Sequence, residues 1–482
     1  MKRPPELEIP SQVHFRSTPP NPYFDFMATA EGDTLKALVA DVAAIIEQRS
    51  DRQRARKATD AANFLRGVDA LVCNLVASVL ERDGGPFALS LNKNQARWKR
   101  CRDNSHGITR DCFLTILEAS NGEFLTLAKS AKHGQASTIE PTQAFAAEVL
   151  ARGIALSDLG VRQEVELIAF TQKRRKQDAW RWDDQEETVL IDYRDTRFTS
   201  AARAQMKVLR DSIAAARIEC VDDGEHPRAD TKRRDLQRRF IVPPRIEGKT
   251  LRTIPFGHIL EGGRMAGNAF WLTLRKDRRR ASLRLDGEPI AEVDFNAMFP
   301  RLACAKATKH PICGNGGSAQ SGVVCDFYAP LVAATLKHAP WGASDKLRSG
   351  IKQAMSALLF APHLRRWPEK IRKRLPKGFS VEDMQRVVWE VYPALWPYID
   401  AASKEKRAIG YRLMRTESDI IVQACLELAA QGTTALPIHD AVLVPRSKAM
   451  IAAEVLERVA LEVAGVVVPV SVWAGEGLEQ AA

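Results

Sequence analysis

The sequence predicts an α+β protein of several domains, on three observations. The chain has 482 residues. At about 100–200 residues per domain this allows two to four domains, and a chain of that size can bury a large core without disulfides or a structural metal. Apolar residues make up 45% and charged residues 27%, the balance of an ordinary globular protein. That balance excludes a disordered chain, a fibrous repeat and a disulfide scaffold. The texture then changes near residues 230–260: long helical patterns come before, and short β-rich runs alternating with helices come after.

No stretch approaches about 18 uninterrupted apolar residues, so no transmembrane helix is expected. The opening MKRPPELEIPSQ has basic residues but no apolar run behind them, unlike a secretory signal. The net charge is +12. A basic surplus favours a polyanionic partner, most often nucleic acid; a solubilising surface is the other reading. The eight cysteines (Cys73, Cys101, Cys112, Cys220, Cys304, Cys313, Cys325 and Cys425) form no CxxC pair and no zinc spacing. They read as reduced, partly buried thiols, and a cytoplasmic location is expected.

Taken in order, the first 30 residues are rich in Pro and expected to be extended. Residues 31–82 read as helices, with Leu35, Leu38, Val39, Val42 and Ile45 at helical spacing and a basic run at Arg49, Arg52, Arg54, Arg56 and Lys57. Residues 141–176 are again helical in pattern and end in Lys173-Arg174-Arg175-Lys176, with Trp180 and Trp182 beyond. A basic run beside aromatics can hold phosphates and stack bases, or it can be a solvated helix end beside two core tryptophans. Residues 197–219 read as another helix and 221–231 as a polar loop. Basic residues then cluster at Lys232, Arg233, Arg234, Arg238 and Arg239, and again at Arg275, Lys276, Arg278, Arg279 and Arg280.

Two acidic positions stand out. Residues 289–294, PIAEVD, suit a short buried strand ending in Asp294, followed by a helix with Asn296 as a possible N-cap. A carboxylate at the end of a buried strand needs a partner; a divalent metal would serve, and so would capping the next helix. Residues 419–430 form an amphipathic helix stopped at Gly432. Thr433–Ile438 and Ala441–Val444 then read as two strands with His439-Asp440 at the tight turn between them. Asp is a common turn residue, but these flanks are too apolar for a solvated loop tip. Between the two sites, SDKLRSGIKQAMSALLFA places Arg348, Lys352, Ser356 and Phe360 four apart, on one slowly drifting helical stripe. The stripe suits a triphosphate with a base stacked at its end, or is a surface run of cations beside a core Phe.

These elements, in this order, resemble the palm and fingers of family A, the DNA polymerase I-like polymerases. VDFNAMFPRL looks like the family's first motif, with Asp294 as metal ligand and Arg301 closing it. Arg348, Lys352 and Phe360 match the fingers Arg, Lys and Tyr, and PIHDAVLVP matches the His-Asp turn with His439 and Asp440. Upstream, Gly262-Gly263-Arg264, Gly267, Trp271 and Asp286-Gly287-Glu288-Pro289 fit a compact branch found in phages, plasmids and bacterial genomes. The similarity covers roughly residues 230–475. It implies a right-hand fold, with an antiparallel palm sheet (261–340 and 411–482) and helical fingers (341–410); residues 151–260 are expected as a helical thumb-like region, and residues 1–150, which the resemblance does not reach, as a mostly helical N-terminal domain of unknown role. Four departures bear on selectivity and rate: Ala441 and Phe299 replace Glu, Ser356 replaces an aromatic, and Ala361 replaces Gly. No exonuclease carboxylate set is evident in residues 1–230.

The resemblance implies template-directed DNA synthesis from dNTPs on a DNA template–primer, or on an RNA primer. Asp294 and Asp440 would hold two Mg²⁺ ions about 3.5–4 Å apart, with Mn²⁺ as a substitute. Lys352 would neutralise the triphosphate, Arg348 would hold its β or γ phosphate, and Phe360 and Ser356 would line the nucleotide site. Phe299 would fill the space of a ribose 2′-hydroxyl, unless it is a core residue of its helix. Arg264, Arg278, Arg279, Arg301 and His439 are the residues expected on nucleic acid. The alternatives are an RNA-synthesising primase or terminal transferase of the same fold, a two-metal nuclease, and a catalytically silent nucleic-acid-binding replication protein.

Overall fold

The structure, a computed structural model, describes residues 22–50, 54–89, 91, 107–130, 136–162, 166–175, 186–224, 229–243, 250–251, 261–308, 326–338, 346–361, 364–404 and 409–475. The chain divides into two compact units, Met1–Arg100 with Asn104–Glu164, and Cys101–Asp103 with Val165–Ala482.

The first unit runs β1 (Ala28–Ala30), α1 (Asp33–Arg49), α2 (Ala58–Arg82), β2 (Phe87–Leu89), α3 (Arg110–Ser120), β3 (Leu125–Ala128), β4 (Ser137–Pro141), α4 (Gln143–Ala151) and β5 (Leu159–Val161). The periodic residues of α1 do what their spacing predicts: Leu35, Leu38, Val42 and Ile46 are buried, in one core with Phe113, Ile116 and Leu117 of α3. Thr109 and Thr142 start α3 and α4 by accepting backbone N–H bonds on their side chains. By length and composition α2 could cross a membrane, but 61% of its most apolar window is buried inside the unit, the behaviour of a core helix. Part of the N-terminal basic run is internally paired: Arg56 meets Glu47 at 2.8 Å and Arg49 meets Glu123.

Residues 141–176 differ from the helical expectation. Among its described residues the one α-helix is Gln143–Ala151; Gly153 at φ 65° and a short 3-10 turn at Leu156–Asp158 follow it, and strands take over from Leu159. Ile168, Ala169 and Phe170 are all buried, and a continuous apolar run of that kind does not separate strand from helix by period. Lys176, Trp180 and Trp182 lie outside the described residues.

The second unit continues with β6 (Ile168–Arg175), β7 (Glu186–Leu190), β8 (Asp192–Tyr193), α5 (Arg197–Ala215), β9 (Ile218–Cys220), β10 (Gln237–Ile241), β11 (Thr250–Leu251), β12 (Glu261–Ala266), α6 (Phe270–Thr273), α7 (Lys276–Ser282), β13 (Leu283–Leu285), β14 (Glu288–Phe295) and α8 (Met298–Thr308). After these come α9 (Ala329–His338), α10 (Leu347–Phe360), α11 (Glu369–Arg372), α12 (Val381–Val391), α13 (Leu395–Lys404), α14 (Ile409–Ala430), β15 (Leu436–Ile438), β16 (Ala441–Pro445), α15 (Ala449–Ala464) and β17 (Val470–Trp473). Its larger sheet is antiparallel at every pairing, ordered β15-β16-β14-β13-β9, with β17 also on β14. A second sheet, ordered β12-β10-β6-β7, is parallel only between β10 and β6. The region 151–260 is therefore rich in strands, with α5 as its long helix, and not the helical segment expected. From β12 onward the α+β expectation matches: strands in an antiparallel sheet, helices α8 to α14 between its halves.

Candidate active site

Adjacent strands bring the two acidic positions together. On β14, Ile290, Ala291 and Val293 are buried, and β16 pairs with the strand so that Asp294 stands opposite Ala441, one residue from Asp440. The backbone N–H of Phe295 donates to the Asp440 carbonyl at 3.3 Å. The β15–β16 turn is two residues long, since Ile438 pairs with Ala441. His439, first in that turn, has φ 52°, a conformation that favours Gly and costs another residue about 1–3 kcal/mol. The flanks hold it there: fully buried Trp271 donates its Nε1–H to the Pro437 carbonyl at 3.2 Å.

Burial pushes the Asp294 carboxyl up to about 7, and the neighbouring Asp440 charge adds to the shift; Lys276 and Lys352 oppose it. Asp294 Oδ1 is buried and has no hydrogen-bond partner among the described residues. An unpaired buried carboxylate oxygen is costly, and a hard cation that takes one or two carboxylates plus phosphate and water oxygens satisfies it. Two Asp side chains of this kind fit Mg²⁺. No group of three His, Cys, Asp or Glu that could hold a metal occurs among the described residues.

The shift gives a pH prediction for metal-free protein. Burial holds the Asp294 carboxyl at about 7 in the native state, against an ordinary 3.8. Between those limits the native state binds more protons than the unfolded chain, so stability falls as pH rises across that window. At about 1.4 kcal/mol per unit the ceiling is ~4 kcal/mol. Urea melts from pH 4 to 8 in chelator check this, with Asp294→Asn expected to flatten the slope.

Helix α10 has one buried and one exposed side. Leu347, Ile351, Ala354, Met355, Leu358 and Leu359 are buried, and Arg348, Lys352 and Ser356 are exposed. Lys352 acts on Asp294 and makes no ion pair among the described residues. Arg348 is engaged: its Nε and Nη2 donate to the Asp326 carboxylate at 2.9 and 3.0 Å, and it lies 5.6 Å from the Tyr328 ring. Burial pushes the Tyr328 phenol up to about 12, and it feels the charges of both Arg348 and Asp440.

Phe299 and Phe360 meet edge to face at 5.4 Å, and Phe360 meets Tyr411 at 5.5 Å. Gly410 makes this approach possible, since a Cβ there would lie 2.5 Å from the Phe360 ring. The Arg264 guanidinium lies over the Phe299 ring, 5.2 Å from its centre, and donates Nε and Nη2 to Glu417 at 2.9 and 2.8 Å. Glu417 is fully buried on α14. Burial raises its carboxyl to about 7 against the pull of Arg264, with Asp440 and Asp294 adding. Gly262 and Gly263, at φ 70° and 87°, form the β12 bulge just before Arg264, where the register with β10 shifts.

The arginines expected on phosphates turn inward to protein partners. Arg264 is on Glu417; Arg278 sits 3.4 Å from Asp223; buried Arg279 donates to the Leu274 carbonyl at 3.0 Å. Buried Arg301 donates to the Asn296 carbonyl at 3.1 Å, stapling the start of its own helix. Partial burial lowers the His439 pKa, and Arg264 adds to the effect, so the ring is neutral near pH 7. Asp326, Tyr328 and Glu417 were missed in the sequence. Glu417 had a signal, an acid within the apolar pattern of 409–430; the other two had none.

No family model matches the chain, and no curated protein sequence does. Among solved structures it is similar to the POL domain of Pol1 from M. smegmatis in complex with DNA primer-template and dNTP, at 11% identity and a TM-score of 0.33. The likeness covers 92% of this chain, which spans 66% of that one. A TM-score of that size does not establish a shared fold.

Proposed function

We propose that this chain is a nucleotidyltransferase that extends nucleic-acid strands, a template-directed DNA polymerase that uses dNTPs and two Mg²⁺ ions. One observation carries the reading: Asp294 at the end of β14 meets Asp440 in the turn that leads into its partner strand β16, one Asp294 oxygen is buried without a hydrogen-bond partner among the described residues, and the Lys352 charge acts on it. Phosphoryl transfer asks a protein mainly for positioning and charge neutralisation. Bound Mg²⁺ would activate the primer 3′-hydroxyl and stabilise charge on the leaving oxygen. Lys352 neutralises the triphosphate and can give a proton to the leaving pyrophosphate. Arg348 exchanges its bidentate hold on Asp326 for the same geometry on a phosphate. The Phe360 edge, fixed by Tyr411 and Phe299, borders the base.

Primer extension with a labelled template–primer, dNTPs and Mg²⁺ tests the reading. Extension is expected. Shortening of the primer makes the chain a nuclease, and binding with neither makes it a silent replication protein.

Phe299 is half-buried between Arg264 and Phe360, as a ring that excludes a 2′-hydroxyl would be. Phe299→Ala is expected to raise ribonucleotide use relative to deoxynucleotide use by about tenfold or more, the scale of a filled or emptied contact. Competition between the two nucleotide types measures it. A wild type that prefers ribonucleotides makes the enzyme an RNA polymerase or primase instead.

A further inference from the structure

One side-chain cluster shares the strand of Asp294 and has no part in the chemistry above. Glu292 lies two residues before Asp294 on β14 and so on the same face of the sheet. It is only 4% exposed, and a carboxylate that deep needs compensation. Helix α7 supplies three cations: Lys276 Nζ at 2.9 Å, Arg280 Nε at 3.1 Å and Arg279 Nη2 at 3.8 Å. One positive charge would neutralise Glu292, so two are in surplus. Arg280 is fixed further by the Trp473 ring, 4.3 Å away, and Trp473 is the register partner of Glu292 on β17.

The cations differ in access. Arg279 is buried and turned to a backbone carbonyl. Lys276 keeps 55% of its side chain exposed, and its charge reaches Asp294. Among its neighbours, Arg275 is offset by Asp277 and Arg278 by Asp223. A strand that delivers its end to two carboxylates must bring backbone phosphates past them, against like-charge repulsion. Cations held beside the pair offset that repulsion.

We propose that Lys276, with Arg280, seats a backbone phosphate of the nucleic-acid strand whose end reaches Asp294 and Asp440, and that Glu292 is the positioning residue that holds both cations in place. The proposal rests on the polymerase reading for the identity of that strand. Glu292 presets the two side chains, so little of their freedom is lost when the phosphate arrives.

The test is fluorescence-anisotropy titration of a labelled template–primer duplex at several salt concentrations, in an Asp294→Asn background, beside primer extension by the unmodified protein. Lys276→Ala is expected to weaken binding about five- to tenfold at moderate salt and to flatten the log–log salt slope by about 0.9 per phosphate lost. Lys276→Arg is expected to restore most of both. Unchanged affinity and slope for Lys276→Ala, with or without a lower Tm, overturns the seat and leaves the cations as counter-charges of Glu292. If the unmodified protein extends primers in that case, the polymerase reading stands without the seat. If Lys276 shapes duplex binding but the protein never extends a primer, the seat stands and the polymerase reading fails. A protein that binds no duplex at all overturns both.

Discussion

On the proposed reading, Asp294→Asn and Asp440→Asn are each expected to reduce nucleotidyl transfer to background while the protein remains folded. Each substitution removes one of the two carboxylates that converge from β14 and the β15–β16 turn, and no third carboxylate completes a metal cluster among the described residues. Glu417 does not substitute, because Arg264 holds both of its oxygens. Stability separates this loss from unfolding. In chelator near pH 8, ionised Asp294 is held against burial and against Asp440, so both variants relieve a native-state cost and should melt at or above the wild-type temperature. Extension assays read the first effect and thermal melts the second. A variant that melts normally and still extends primers at near wild-type rate would show that the reacting site lies elsewhere.

The same convergence explains what was legible in the sequence. β14 and the His439-Asp440 turn were readable because their apolar runs are short, bounded by turn signals, and end in acids that a core cannot hold unaided. The α10 stripe was readable because 3.6-residue periodicity separates buried Ile351 and Met355 from exposed Arg348 and Lys352. Partner choice was not readable. Arg278, Arg279 and Arg301 look like phosphate ligands in a basic sequence, but each satisfies a carbonyl or carboxylate within its own unit. Only three-dimensional neighbours decide that. The pairing of Arg264 with Glu417, 153 residues apart, leaves no local trace in either segment. β6 was misread for a related reason: its buried run carries no period, and its pairing with β10 spans about 70 residues of sequence.

Lys352→Ala is expected to slow incorporation by about two orders of magnitude or more, the scale of losing a charge aimed at a developing anionic transition state. The position supports a loss in rate and not in DNA affinity. Lys352 is exposed on the one polar stripe of α10, its charge acts on Asp294, and no ion pair among the described residues competes for it. Arg348, four residues earlier, starts from a bidentate bond to Asp326. Arg348→Ala is therefore expected to act mainly on the dNTP KM, since part of its binding energy is already spent within the protein. For Lys352→Ala the loss falls on kcat, because the charge matters most when the pyrophosphate leaves. Lys352→Arg should recover phosphate neutralisation but little of the rate, as a guanidinium does not give up a proton at neutral pH. Single-turnover incorporation at saturating template–primer separates these outcomes. Normal rates for Lys352→Ala alongside weakened DNA binding would move the residue from the nucleotide to the template.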